Sequence, residues 1–226
     1  MNSKPRSFIS QAHCFAVMKR CLNLGCGNKH YQSTKEHSWT NADAWQGCAP
    51  DKIVDCNVFP YPFADNSFDV VVVNSVLEHV ADWQRTLKEV WRICKPSGIV
   101  YVEVPDYTYA WAHPYHLHPF TIATIELFNR YENKEYFQVV QQKMRYTRTR
   151  TMFLLRLLGK LLDFFANCAG TKSQFFCERI WAGWFGGFEA LCFLLKPVKE
   201  KGKGDYAKDY HAQELDGDSW KESLTL

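Results

Sequence analysis

The sequence has no run of about 18 uncharged apolar residues, so a membrane-spanning helix is not expected. The nearest approach, 180–195, is short and contains Glu189 and three glycines. There is no Cys-x-x-Cys pair, and the nine cysteines are scattered and odd in number, which argues against a disulfide framework. Reduced thiols in a cytoplasmic protein are the expectation. The opening residues, Met1-Asn2-Ser3-Lys4-Pro5-Arg6, lead into no apolar run of secretory length, so no signal peptide is expected. Neither sign of charge dominates. Lys and Arg number 27 against 24 Asp and Glu, and a net charge of +3 gives no ground for a nucleic-acid partner. No internal repeat is visible. What is present is core material: 46% of the 226 residues are hydrophobic and 15% aromatic. That suits one α/β domain with an insertion better than two domains.

The patterning alternates strand and helix signals. Cys21-Leu22-Asn23-Leu24 is a short apolar run that breaks into Gly25-Cys26-Gly27-Asn28, the mark of a tight turn after a central strand. Residues 38–42 and 52–54 are candidate strands ending at Asp43 and Asp55. Residues 68–73 contain four successive valines, which suit a strand buried on both faces. Residues 83–94 place Trp83, Leu87, Val90, Trp91 and Cys94 at helical spacing, with Asp82 as N-cap and Lys95-Pro96-Ser97-Gly98 as the stop. Residues 99–104 form the next strand. Beyond Pro105 an aromatic, irregular stretch runs to Phe120. A helix over 122–131, a strand over 136–146, an amphipathic helix over 152–165 and a last strand over 188–198 follow. Strands alternating with helices imply βαβ units and a mainly parallel sheet.

Gly25-Cys26-Gly27 stands between a strand and a predicted helix, where glycines let backbone approach a ligand and a helix N-terminus offers free N–H groups. A tight turn with no ligand is the alternative. The dinucleotide pattern would require a third glycine where this chain has His30, which argues against a pyrophosphate-linked cofactor. Asp43, 18 residues beyond Gly25, can accept hydrogen bonds from both hydroxyls of a ribose; the alternative is a loop-capping acid. A nucleoside ligand without pyrophosphate fits both observations.

The run from Leu22 to Asn28 resembles the first motif of class I S-adenosylmethionine-dependent methyltransferases. The type 11 branch is resembled by three later stretches: Tyr61-Pro62-Phe63-Ala64-Asp65-Asn66-Ser67-Phe68-Asp69 with Val70 to Val80, Leu87-Lys88-Glu89-Val90-Trp91-Arg92, and Lys95-Pro96-Ser97-Gly98. The resemblance is good over 20–126 and looser to Lys199. It implies a Rossmann-like α/β fold: a mostly parallel seven-stranded sheet, its last strand antiparallel, with helices on both faces and substrates entering at the C-terminal strand ends. It implies S-adenosyl-L-methionine as cofactor, with Asn23, Gly25, Cys26 and Gly27 along its methionine and ribose parts, and Asp43 on the ribose hydroxyls. Asp55 and Cys56 would lie beside the adenine, and Asn74 near the sulfonium. Two departures are visible: Asn23 stands where many relatives have an acid, and the stretch between Asp55 and Pro62 is slightly long, which leaves Asp55 or Asn57 facing the adenine.

Methyl transfer needs a nucleophile aligned behind the methyl and water kept out. A hydroxyl or amine acceptor also needs a base. The catalytic candidates are His116, within Pro114-Tyr115-His116 before Phe120-Thr121, and His79. The alternative for His116 is a loop anchor. A metal site of His113, His116 and His118 lacks an evident fourth ligand, and no metal is expected. The segment 143–160 carries Lys143, Arg145, Arg148, Arg150, Arg156 and Lys160 with no acid, which fits an anionic docking surface or, better, a solvated helix edge.

The expected organisation is an extension over 1–19, a methyltransferase domain over 20–198 with a helical insertion over 147–187, and a charged tail over 199–226. The expected function is methyl transfer to a small-molecule acceptor, sugar- or lipid-linked. The alternatives are cofactor binding without catalysis, and weak membrane-surface contact through 152–165 and 180–195. No nucleic-acid partner is expected.

Overall fold

The computed structural model describes residues 18–110, 113–145, 153–181 and 189–199. The expected extension over 1–19 and tail over 199–226 therefore fall almost wholly outside the described residues, as do Arg148 and Arg150.

Seven strands form one sheet: β1 (Lys19–Leu24), β2 (His37–Asp43), β3 (Lys52–Ile53), β4 (Phe68–Asn74), β5 (Cys94–Pro105), β6 (Phe137–Arg145) and β7 (Ala190–Pro197). Their spatial order is β3-β2-β1-β4-β5-β7-β6. The pairs β1–β2, β2–β3, β1–β4 and β4–β5 are parallel, whereas β7 runs antiparallel to both β5 and β6. The direction of strand succession reverses between β1 and β4. Open α/β sheets bind ligands at such a switch point, beyond the carboxyl ends of the strands. Gly25 follows one of these two strands, and Asn74 ends the other.

Period-two alternation sorts the strand residues onto two faces. Leu22, Leu24, Val71, Val73, Val100, Val102, Val104, Leu191, Phe193 and Leu195 belong to one large buried cluster. Helices α1 (Trp83–Ile93), α3 (Thr124–Tyr131) and α4 (Phe153–Asn167) contribute to it through Leu87, Val90, Ile93, Ile125, Phe128 and Ala166. Helix α5 (Thr171–Phe176) adds Phe175 at its edge. Cys21, Trp39, Val70, Val72, Tyr101 and Cys192 form a smaller cluster on the opposite face, with Tyr31 packed against it. Helices were expected on both faces; the described helices that reach the core all join the larger cluster. Asp82 caps α1 by accepting from the Arg85 N–H at 2.9 Å.

The helix expected after Gly25-Cys26-Gly27 is absent. Residues 25–36 are an irregular connector, and the links between β2, β3 and β4 hold only a 3-10 turn, Gln46–Cys48, and further turns. Side chains do the work that helical hydrogen bonds would do. Arg92 on α1 donates to the carbonyls of Tyr61 (3.0 Å) and Phe63 (2.8 Å), to Asp65 (2.6 Å) and to Glu89 (2.7 Å). It thereby holds the β3–β4 connector against the helix.

Helices α4 and α5 and a π turn, Cys177–Trp181, lie between β6 and β7, within the span read as a helical insertion. Of the apolar stretch 180–195, residues 190–195 are buried in β7 and present no free surface. On α4, Leu161, Phe164 and Phe165 are exposed. Glu178 anchors the π turn, accepting from the Ile122 N–H, while its own carbonyl accepts from the Tyr107 hydroxyl at 3.1 Å.

Burial pushes the Glu178 carboxyl up from 4.5 to about 7, with Asp106 adding to the rise and the Ile122 N–H and Arg179 opposing it. The folded chain thus holds this proton more tightly than the unfolded chain. The resulting stabilisation is complete below pH 4.5 and is lost as pH rises through 7. Denaturation across this window should show a decline on the order of 2 kcal/mol. Glu178→Gln keeps an acceptor oxygen without titrating and should flatten the decline; an unchanged slope in the variant would refute the assignment.

Candidate active site

Strand β1 delivers its last side chains beneath the switch point and then turns sharply. Gly25 has φ +68°, a conformation that costs other residues strain. A Cβ there would stand 2.3 Å from Val76 Cγ2, so both the backbone and the packing demand glycine. Gly27 also has a positive φ, +46°, but nothing lies within 4 Å of where its Cβ would be. The turn is open to a ligand at that position. The N–H groups of Gly25 and Cys26 both donate to the Ala42 carbonyl, at 2.8 and 3.1 Å. The Gly27 N–H donates to Asp43 Oδ2 at 2.8 Å, and the Trp45 N–H donates to Asp43 Oδ1 at 2.8 Å. Each carboxylate oxygen therefore keeps acceptor capacity beyond its one backbone donor, and the side chain is only half-buried.

The connector is tied down by Asn23 and Asn41. Asn23 Nδ2 donates to the Lys29 carbonyl (2.8 Å) and to Asn41 Oδ1 (3.1 Å). Asn41 Oδ1 also accepts the Tyr31 N–H at 2.9 Å, and its Nδ2 donates to the Tyr31 carbonyl (3.1 Å) and to Asp51 Oδ2 (2.9 Å). An amide at position 23 can donate where a carboxylate could not, which explains the departure noted at Asn23.

A cavity of about 390 Å³ opens here, lined by Asn23, Gly25, Cys26, Lys29, Tyr31, Asn74, Glu103 and Arg145. Four of the predicted cofactor residues, Asn23, Gly25, Cys26 and Asn74, are thus brought to one cavity. Asp43 joins them through Gly27. Asn74 Oδ1 accepts from the Ser75 hydroxyl at 3.1 Å. Asp55 lies exposed just past β3, its Oδ1 taking the Asn57 N–H at 2.8 Å. Cys56 faces inward: its carbonyl accepts from the Tyr61 hydroxyl, and burial pushes its thiol up to about 12.

Glu103 and Arg145 were not singled out as site residues. Arg145 donates to Glu103 Oε2 at 3.3 Å and to the Tyr101 hydroxyl at 3.4 Å, while that hydroxyl donates to Glu103 Oε2 at 2.5 Å. A lone acid within Val-Tyr-Val-Glu-Val was the available signal for Glu103. Arg145 is accordingly an ion-paired residue of the cavity lining.

The histidines gather after β4. His79 and His116 stand 4.9 Å apart, centroid to centroid, and His113 stacks on His116 at 4.5 Å. A carbonyl can only accept, so His116 Nδ1–H donates to the Ala110 carbonyl (2.9 Å) and Nε2 keeps its lone pair. By the same reasoning His79 Nδ1–H serves the Tyr115 carbonyl at 3.2 Å. Burial draws the His116 pKa below 6.5, against the Ala110 carbonyl and with help from His79 and His113. His118 turns away to the Val80 carbonyl at 2.9 Å. The grouping of His113, His116 and His118 is therefore replaced by His79, His113 and His116. A Glu78 carboxylate oxygen lies within 4.8 Å of ring nitrogens of His79 and His116. Neither His79 nor His116 lines the cavity.

Gly25→Ala should lose roughly 1–2 kcal/mol through backbone strain and more through displacing Val76, whereas Gly27→Ala should lose the backbone share only. Urea denaturation of both variants measures this, and equal losses would contradict the packing argument.

Residues 22–102 match the family model described as a methyltransferase domain. A demethylmenaquinone methyltransferase of Geobacillus stearothermophilus is 44% identical over 48 residues, 21% of this chain and 20% of that protein. The ubiquinone/menaquinone biosynthesis C-methyltransferase UbiE of Stenotrophomonas maltophilia is 39% identical over 71 residues, 30% of this chain and 28% of that protein. The chain thus aligns with less than a third of the length of these relatives. Haemonchus contortus phosphoethanolamine N-methyltransferase 2, solved in complex with S-adenosyl-L-methionine, superposes with a TM-score of 0.53 at 13% identity, covering 80% of this chain and 49% of that one. This last likeness bears on the fold alone.

Proposed function

We propose that this chain, which carries a type 11 methyltransferase domain over residues 22–102 in a class I methyltransferase fold, binds S-adenosyl-L-methionine and moves its methyl group to a small-molecule acceptor. The observation that carries the reading is the joint between Gly27 and Asp43: an open glycine turn whose N–H holds a half-exposed carboxylate at the switch point of the sheet. Asp43 would take the ribose hydroxyls on the acceptor capacity left by its two backbone donors. Asn23, Gly25, Cys26 and Gly27 would border the methionine and ribose. Asp55 would face the adenine, with Cys56 supporting it from the core. Asn74 would sit by the sulfonium.

When bound, the cofactor supplies a methyl group made electrophilic by its sulfonium. The chain's own part is to bind, to orient and to remove a proton. His116, held by the Ala110 carbonyl and neutral at physiological pH, offers Nε2 as a base toward an acceptor hydroxyl or amine. His79 packs against it. Relatives named for menaquinone and ubiquinone biosynthesis support a small acceptor, and a sugar- or lipid-linked molecule is the class we favour. One observation favours cofactor binding without turnover instead: the two histidines stand outside the cavity lining. Binding without S-adenosylhomocysteine formation, across a panel of quinone, sugar and lipid-linked acceptors, would select that reading.

Calorimetry on the wild type and Asp43→Ala tests the cofactor site. Micromolar affinity weakened roughly ten-fold or more by the substitution is expected, the scale of one lost hydrogen bond to a charged group. Absence of binding by folded wild type would sink the proposal. With an acceptor from the panel, the acid limb of kcat/KM should lie below 6.5. His116→Asn should remove that limb and slow turnover by roughly 10²–10⁴-fold. A profile left intact by the substitution would return His116 to loop anchoring.

A further inference from the structure

Three potential metal ligands converge beside the glycine turn, on residues that come from two adjacent strand ends. Cys26 Sγ, a ring nitrogen of His30 and Cys48 Sγ all lie within 4.8 Å of one another. Cys26 lies in the turn after β1, His30 sits farther along the connector, and Cys48 ends the 3-10 turn after β2. The two thiols are buried, at 5% and 7% exposure. His30 Nε2 is buried as well and has no hydrogen-bond partner among the described residues. A buried imidazole nitrogen left without a partner costs free energy that a bound ion would recover.

We propose that Cys26, His30 and Cys48 form a Zn²⁺ site that clamps the β1–β2 connector to the turn after β2. The donor set selects the metal: two thiolates and an imidazole suit zinc and disfavour the oxygen-seeking Mg²⁺ and Ca²⁺. Tetrahedral zinc, with Zn–S about 2.3 Å and Zn–N about 2.0 Å, requires the ligands to draw in by about an ångström. That is a small movement for a connector without helical hydrogen bonds. The charges balance, since two thiolates neutralise one divalent cation. Each thiol gives its proton to solvent as the metal enters, and the imidazole contributes the Nε2 lone pair, so loading releases two protons. The fourth position belongs to water or an exogenous ligand.

The local structure is already arranged around this cluster. The Cys26 backbone N–H is committed to the Ala42 carbonyl, which fixes the turn that carries the thiol. The Lys29 N–H donates to the Cys26 carbonyl at 2.9 Å, closing a tight turn that carries His30 back toward Cys26. Asp43 holds the Trp45 N–H, and the Cys48 thiol donates to the Trp45 carbonyl at 3.0 Å, which sets the third ligand. The site shares Cys26 with the lining of the cavity, but its argument does not depend on the methyl-transfer proposal.

The test uses the full chain, reduced, stripped with chelator and titrated with Co²⁺ without oxygen. About one equivalent should produce near-ultraviolet sulfur-to-cobalt charge transfer and the intense visible bands of tetrahedral cobalt, and Zn²⁺ should bleach both. His30→Ala and Cys48→Ser should each weaken the response at least ten-fold, while Cys168→Ser, at an exposed cysteine, should leave it unchanged. Alkylation of the wild type read by mass spectrometry gives an answer independent of variant folding: Zn²⁺ should protect Cys26 and Cys48 and leave Cys168 reactive. Absence of the thiolate band, its survival in both ligand variants, or equal alkylation with and without Zn²⁺ would each overturn the site.

Discussion

Between β1 and β2 the chain crosses residues 25–36 without a helix, yet it must satisfy its backbone polar groups beside a buried sheet. The side chain of Asn41 meets most of that demand. It sits almost fully buried in β2 and exchanges hydrogen bonds with both backbone groups of Tyr31, with Asn23 and with Asp51. An amide is the side chain for this position because it donates and accepts at once. Everything on the ligand side follows from the connector being held: the Gly25 turn, the reach of Gly27 to Asp43, the cavity, and the meeting of Cys26 with His30 and Cys48.

The same solution recurs on the other side of the sheet. The β3–β4 connector is also free of helix, and Arg92 holds it by distributing its guanidinium donors over two carbonyls and two carboxylates. A planar fork with fixed donor directions suits several acceptors in one plane, which a lysine ammonium would not. Glu89, its main carboxylate partner, also accepts the Tyr61 N–H, so the helix, the connector and a buried tyrosine move as one unit. Both devices replace regular secondary structure with a few buried polar joints. Removing one partner of such a joint leaves the other desolvated and unpaired, which costs more than the bond itself contributes.

The cavity shows how this arrangement divides labour. Backbone groups at Gly25, Cys26 and Gly27 are occupied in fixing the turn, which leaves the side chains of Asp43, Asn74 and the Glu103–Arg145 pair as polar groups in and beside the cavity. The histidine cluster stands on different elements, the turn after β4 and the loop after α2 (Tyr107–Ala110), and is held by contacts to the Tyr115 and Ala110 carbonyls. Glu178 in turn ties the segment between β6 and β7 to the residue that follows this loop. The cavity and the histidine cluster are thereby held by separate parts of the molecule.

Local order along the chain was legible because it follows from periodicity and turn chemistry. The valines of β4, the Asp82 cap, the glycine break after β1 and the apolar stripe of α1 each report neighbours within a few residues, and the ordered motifs identified the fold. The helix expected after the glycines failed for the opposite reason: its absence is made good by Asn41 and Asp51, whose partners lie ten residues away. Arg145 looked like one charge among six until the antiparallel pairing of β6 and β7 brought it to Glu103. His79 and His113 were separate in sequence, and the loop path made them neighbours. Cys26, His30 and Cys48 matched no ligand spacing, because their proximity depends on two parallel strands ending side by side. The sequence by itself determined the strands, the capped helix α1 and the glycine turn, since these rest on local patterns. Which side chains meet there was decided only by the tertiary structure, because charge pairing, burial and metal-ligand convergence act through space between residues that the chain keeps apart.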